Sequence, residues 1–199
     1  MKTNTKSSLL YITKIGVLSA MATVLMLFEF PLPIAPSFYE LDFSEVAVLI
    51  GSFSLGPLAG VLIEFIKIVI NLLINGTDTF FVGELANFLM GCSFAFPAAL
   101  IYCRKKTLKR AFVGMGIGTL SLVFVGALCN YFLMIPAYVY LAGFSMDAII
   151  GMGAAINPAI KDLVSLIIIA VVPFNLIKGV LCSLLTALLY KRVSPILHK

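Results

Sequence analysis

The feature that most limits how this chain can fold is a repeated pattern of long apolar runs separated by loops of only a few polar residues. A membrane-crossing helix needs about 20 mostly apolar residues. Runs of that kind cover about residues 11–30, 83–103 and 111–138. The stretch Glu45–Asn75 is too long for one helix and too short for two full ones, and Gly56-Pro57 interrupts it. Proline cannot continue a helical ladder and restricts the residue before it, so a short span at about 45–55 and another at about 57–74 are expected. A last span is expected at about 173–190, with Pro173 at its first helical position.

Between the fifth and last spans lies the hardest segment to place. Val139–Asn157 mixes apolar residues with Asp147 and several glycines, and Leu163–Val172 follows as an apolar run between Lys161-Asp162 and Pro173. That run is too short to cross, so a non-spanning, re-entrant or interfacial segment in a long extracellular fifth loop is expected. Only 12% of residues are charged against 61% hydrophobic, and mean hydropathy is +1.12. A soluble domain carries about 25% charged residues. The expected fold is therefore an all-α integral membrane protein, one membrane domain over residues 1–199 with six transmembrane helices and the lipid bilayer as solvent.

Charge placement sets the orientation. With the N-terminus inside, eleven of the fourteen basic residues fall at cytoplasmic ends: Lys2, Lys6, Lys14, Arg104, Lys105, Lys106, Lys109, Arg110, Lys191, Arg192 and Lys199. None of the nine acidic residues lies there. A seventh span at 163–172 would push the C-terminal cations outside, so the positive-inside rule favours six spans with both termini cytoplasmic. The net charge of +5 thus reads as a topology signal and gives no reason to expect nucleic acid as a partner. The apolar run after Ser8 reaches Pro31 without a small-x-small site and reads as a retained first span, not a cleaved leader. Cys92, Cys103, Cys129 and Cys182 form no CxxC pair and read as buried thiols, with no metal site expected.

Polar side chains inside apolar spans cost about 2.5–3.5 kcal/mol each when ionised, so each needs a reason. Asn175 and Lys178 are i, i+3 on one face of the last helix. Asn130 lies late in the fifth span, Glu84 and Asn87 share a face at the start of the fourth, and Lys161-Asp162 flank the segment before the last. All lie toward the outer side, together with the first loop, which carries Phe38, Tyr39, Glu40 and Asp42. Snorkelling and interhelical hydrogen bonds account for any one of them. Their convergence in one leaflet points to a ligand pocket.

Amides and an ammonium suit a planar ring edged by carbonyls and nitrogens, acidic groups suit a polyol, and Phe38, Tyr39, Phe80 and Phe81 suit a flat aromatic face. Glu64 and Lys67 are also i, i+3 and either neutralise each other or line an ion path. Gly16 and Ala20, with Thr23 beyond, form a small-residue face on the first helix that allows close approach, by a partner or within the fold. Gly114, Gly116 and Gly118 read as helix-packing positions, not a dinucleotide fingerprint. No P-loop, Ser-His-Asp set or HExxH motif occurs, and His198 is the only histidine, so catalysis is not expected.

Four stretches carry a family resemblance: Leu41-Asp-Phe-Ser-Glu-Val46, Gly56-Pro-Leu-Ala-Gly60, Gly83-Glu-Leu-Ala-Asn-Phe88 and Pro173-Phe-Asn-Leu-Ile-Lys-Gly179. Through them the chain resembles, over nearly its whole length, the S components of energy-coupling factor (ECF) vitamin transporters, and the riboflavin-specific members in particular. The resemblance implies capture of riboflavin from outside a bacterial plasma membrane, without chemistry or a cofactor. It implies that Asn175 and Lys178 meet the flavin ring and that Asn130 and Glu45 serve the ribityl chain. Asp42, Tyr39, Phe38, Glu84 and Asn87 complete the expected site. It also implies a transmembrane T subunit docked on Gly16, Ala20 and Thr23, and two ABC ATPases that supply energy. The rival readings are an S component for folate or pantothenate, and a small ion-coupled permease using Glu64 and Lys67.

Overall fold

In a computed structural model, residues 2–77 and 79–197 are described, with side chains over 8–77 and 79–190. Asp78, His198, Lys199 and the side chains of Lys2, Lys6, Lys191 and Arg192, whose charges entered the orientation argument, lie outside these. The described residues are mostly helical: α1 (Lys2–Met26), α2 (Ser44–Leu55), α3 (Pro57–Asn75), α4 (Val82–Arg104), α5 (Leu108–Tyr140), a short α6 (Met146–Ile156) and a final α7. Helix α7 is continuous from Leu163 to Leu197. Between α1 and α2, β1 (Phe30–Pro31) and β2 (Glu40–Leu41) pair antiparallel, Phe30 opposite Leu41 and Pro31 opposite Glu40.

Among the described residues, five helices are long and apolar enough to cross a membrane: α1, α3, α4, α5 and α7. Helix α2, with 12 residues, is about 18 Å long and falls well short of a hydrocarbon core of about 30 Å. It is buried from Ser44 to Phe53 and packs against α1, α3, α4 and α7, which explains its apolar character on all sides. Gly56, at φ 106°, turns the chain directly from α2 into α3, where Pro57 opens the new helix as the sequence suggests.

Two boundaries differ from expectation. Helix α1 stops at Met26, not Phe30, because Phe30 and Pro31 are taken into the two-stranded ribbon. Leu163–Val172 is no separate non-spanning segment but the first part of α7. Asp162 caps that end with a capping box, its carboxylate accepting from the Ser165 N–H at 2.7 Å. Pro173 sits inside the helix because the turn before it, Ile167–Val171, is π-helical and bonded from Val172 N–H to the Ile167 carbonyl. A widened turn relieves the missing N–H and the ring clash that proline would otherwise impose. Helix α5 repeats the device at Asn130–Met134, just before Pro136.

The main core lies where α2, α3, α4 and α5 meet, around Phe53, Ile63, Phe94, Ala98, Met115 and Leu122. A second apolar cluster, including Leu41, Ile135, Ile149, Ile160, Leu166 and Phe174, sits under the first loop and α6. Helices α4 and α5 approach so closely that a Cβ at Gly114 or Gly118 would stand 2.5 Å from the carbonyl oxygens of Ala98 and Phe94. Gly116 instead faces open space. At the opposite end from the ribbon, Phe53 stacks on Tyr102, and the Tyr102 and Tyr190 hydroxyls lie 3.0 Å apart.

Candidate functional site

A cleft of about 130 Å³ opens at the ribbon end of the bundle. Its walls come from four places. The first loop supplies Phe38, Tyr39 and Asp42, α4 supplies Asn87 and Met90, α5 supplies Asn130 and Met134, and α7 supplies Phe174, Asn175 and Lys178. Both π-helical turns abut this wall. One begins at Asn130 and includes Met134, and the other ends just before Phe174 and Asn175. Each widened turn re-aims the side chains beside it, a recurring use of such turns at functional sites.

The polar groups are held firmly. Tyr39 Oη donates to Asn130 Oδ1 at 2.7 Å, and Asn130 Nδ2 donates to the Gly126 carbonyl at 2.8 Å. Asn175 Nδ2 donates to the Val171 carbonyl at 3.0 Å, and its amide fits because Gly126 has no Cβ; one there would sit 2.8 Å from that nitrogen. Asn175 Oδ1 is buried with no hydrogen-bond partner among the described residues, an acceptor that needs a donor from a ligand or solvent. Lys178 Nζ donates to Asp42 Oδ2 at 2.8 Å, and Asp42 Oδ1 accepts from the Ser44 N–H at 2.7 Å. Burial alone would raise the Asp42 carboxyl, but the Lys178 and Lys67 ammoniums and these hydrogen bonds hold it down at about 2. The Tyr39 phenol is pushed up by burial.

Seven of the expected residues therefore meet in one cleft: Phe38, Tyr39, Asp42, Asn87, Asn130, Asn175 and Lys178. Glu84 is one step away, lining an adjoining space of about 330 Å³ and accepting from Thr79 Oγ1 at 3.0 Å. Glu45 is not on the wall. It lies beneath, where Lys67 Nζ bridges Glu45 Oε1 at 2.9 Å, Glu64 Oε1 at 2.8 Å and Ser44 Oγ at 3.1 Å. The expected Glu64–Lys67 pair exists, with Glu45 as its third member, and Lys67 and Glu64 have no solvent exposure. Lys161 and Asp162 are exposed and away from the cleft, as are Phe80 and Phe81. On α1, Gly16 and Ala20 face outward with open space beyond Gly16, whereas Thr23 is turned inward, bonding the Ser19 carbonyl at 2.9 Å.

Some of the wall escaped sequence reasoning. Met90, Met134 and Phe174 carry no polar signal among so many apolar neighbours. Glu29 was hidden at the end of an expected span, yet helix α1 ends before it and places it at the cleft mouth beside Glu40. Partial burial there, together with the Glu40 and Asp42 carboxylates, pushes the Glu29 carboxyl up to about 7. The positional signal was the Pro31-x-Pro33 pair, which argues for an earlier helix end.

A family model for the ECF transporter substrate-specific component matches residues 10–190. The chain belongs to that family. Substrate-specific components are parts of transporters, and the five span-capable helices make this one a multi-pass cell-membrane protein. It is 35% identical to the riboflavin transporter RibU of Staphylococcus aureus (strain TCH60), over 93% of this chain and 90% of that one. It is 32% identical to the riboflavin transporter FmnP of Bacillus subtilis (strain 168), over 91% and 90% of the two chains. A solved structure described as "Structure and mechanism of the S component of a bacterial ECF transporter" matches with a TM-score of 0.75 and 33% identity, covering 95% of this chain and 98% of that one. As a substrate-specific component, the chain needs a site that binds without reacting. The cleft combines apolar and aromatic walls with a few fixed donors and acceptors, as such a site requires.

Proposed function

We propose that this chain captures riboflavin on the outer side of a bacterial cell membrane and presents it for uptake. One observation carries the reading: the buried, unpartnered Asn175 acceptor beside Lys178, in a cleft walled by Phe38, Tyr39 and Phe174. The pyrimidine edge of a flavin offers an N–H flanked by carbonyls, which matches an amide acceptor next to an ammonium donor. Asn130, Asn87 and Tyr39 are hydrogen-bonding groups suited to the ribityl hydroxyls, with Glu84 within reach of the adjoining space. Glu45 acts indirectly, through Lys67 and Ser44, by fixing the start of α2 beneath Asp42.

The six-span reading counts α2 with the five longer helices, short as it is, and the positive-inside rule puts both termini in the cytoplasm and the cleft outside. Energy comes from a T subunit seated on the outward Gly16–Ala20 face of α1 and from two ABC ATPases, the chain itself being no enzyme. A net-anionic vitamin such as folate or pantothenate is disfavoured, because Glu29, Glu40 and Asp42 outnumber the single lysine of the cleft. An ion path through Glu64 and Lys67 is disfavoured by their complete burial and mutual pairing.

The test is titration of the detergent-purified chain with riboflavin, following quenching of flavin fluorescence. Saturable quenching at one flavin per chain is expected. A preparation that leaves riboflavin fluorescence unchanged would overturn the substrate assignment.

A further inference from the structure

We infer that a furrow between α5 and α7, with the basic block at its end, holds one anionic phospholipid. The site is separate from the cleft and independent of which vitamin the cleft takes. The furrow has a volume of about 500 Å³ and is walled by Phe112, Ile117 and Leu120 on α5 and by Leu176, Val180 and Leu184 on α7. Gly116 makes the depression, because nothing stands within 4 Å of where its Cβ would be. Beneath, Thr119 closes the furrow against α7: a Cβ on Gly179 would sit 2.7 Å from Thr119 Cγ2. All six wall side chains are exposed, so no helix among the described residues covers them.

The apolar furrow runs on into a charged hollow. Val113 lines the furrow and also a second space of about 700 Å³, walled by Arg104, Lys105, Lys109 and Arg110. None of these four cations forms an ion pair among the described residues, and no acidic residue occurs from 85 to 146. Membrane orientation needs only the number of such charges. Grouped around a hollow that opens into an apolar furrow, they also supply a headgroup place and an acyl-chain place in series. Helix α5 starts here as well, which adds the positive end of its dipole. From Lys109 to Leu120 the helix rises about 16 Å, close to the roughly 15 Å of hydrocarbon in one leaflet. One acyl chain therefore reaches from the basic end to the bilayer midplane. Helix α1 packs on α2 and α3, so a lipid between α5 and α7 leaves the Gly16–Ala20 face open.

The test is competition for a fluorescent phosphatidylglycerol bound to the detergent-purified chain, by unlabelled phosphatidylglycerol or by phosphatidylcholine with the same acyl chains. Phosphatidylglycerol is expected to compete at least about tenfold better. The K105Q/K109Q/R110Q variant should lower that ratio at least about fivefold. Gly116→Leu, which fills the furrow, should weaken phosphatidylglycerol at least about threefold, with helical circular dichroism showing that each variant is folded. Raising salt to about 0.5 M should narrow the ratio in the wild type, because exposed charges are screened. Equal competition by the two lipids would overturn the site. A ratio insensitive to salt would do the same, without needing any substitution to fold. Displacement by glycerol phosphate, which has no acyl chain, would leave only a phosphate-binding surface and overturn the lipid. Unchanged affinity in Gly116→Leu would take the furrow out of the site and overturn it likewise.

Discussion

Asp42 and Lys178 are 136 residues apart in sequence, yet each is the other's counter-charge in a setting almost free of water. Removing one partner of a buried pair strands the other and costs about 3–5 kcal/mol. Lys178→Met alone is therefore expected both to lower the melting temperature in detergent and to weaken flavin binding. The double variant Asp42→Asn/Lys178→Met should recover much of the melting temperature while binding riboflavin at least about tenfold more weakly, a loss of about 1.4 kcal/mol. Wild-type affinity in the double variant would show that Lys178 is a structural residue only. The Asn175–Lys178 spacing was legible in the sequence because it is local to one helix. The partner of Lys178 was not, nor was the removal of Glu45 from the wall by Lys67, because both depend on how the helices pack.

At the level of elements, helix identity followed from apolar run length, and helix ends followed less well. Gly56-Pro57 marked the α2–α3 turn because both residues act on the backbone where they stand. Pro173 misled because a proline inside a helix depends on the turn before it, and the π-helical geometry at Ile167–Val171 has no signature of its own among isoleucines and valines. The same kind of turn in α5 sets Asn130 at the wall, so both devices belong to the site as much as to the fold. Close packing of α4 on α5 carries its own prediction. Gly118→Val would drive a side chain into the Phe94 carbonyl and should destabilise the chain by about 1–3 kcal/mol. Gly116→Val, which meets open space, should stay within about 0.5 kcal/mol. Thermal unfolding of the two purified variants checks this, and equal melting temperatures would refute the close-approach argument.

On the scale of the whole molecule, the proposed reading puts binding and energy coupling in separate places. The cleft lies at the ribbon end, whereas Gly16 and Ala20 look outward from α1 and line no part of it. A bulky residue on that outward face should therefore uncouple uptake without touching capture. Gly16→Leu/Ala20→Leu is expected to bind riboflavin with wild-type affinity. It should lose at least about tenfold of ATP-driven uptake when co-expressed with a T subunit and ATPases. Undiminished uptake would remove that face from the proposed interface. Thr23 is excluded from such a surface by its burial, a point that i, i+3 and i, i+4 spacing left open.

The sequence by itself determined that the chain is a helical membrane protein, which end of it gathers its polar groups and which residue types could meet a ligand. Those properties depend on composition, run length and local spacing, all of which can be read along one strand of sequence. Only the tertiary structure decided which polar groups face the cleft and which cancel one another beneath it. The reason is that a buried charge takes its role from its nearest opposite charge, and Asp42–Lys178 and Glu45–Lys67 are neighbours only after α2, α3 and α7 have packed together. Tertiary packing also brought Glu29 to the mouth, where an expected span end became part of a rim.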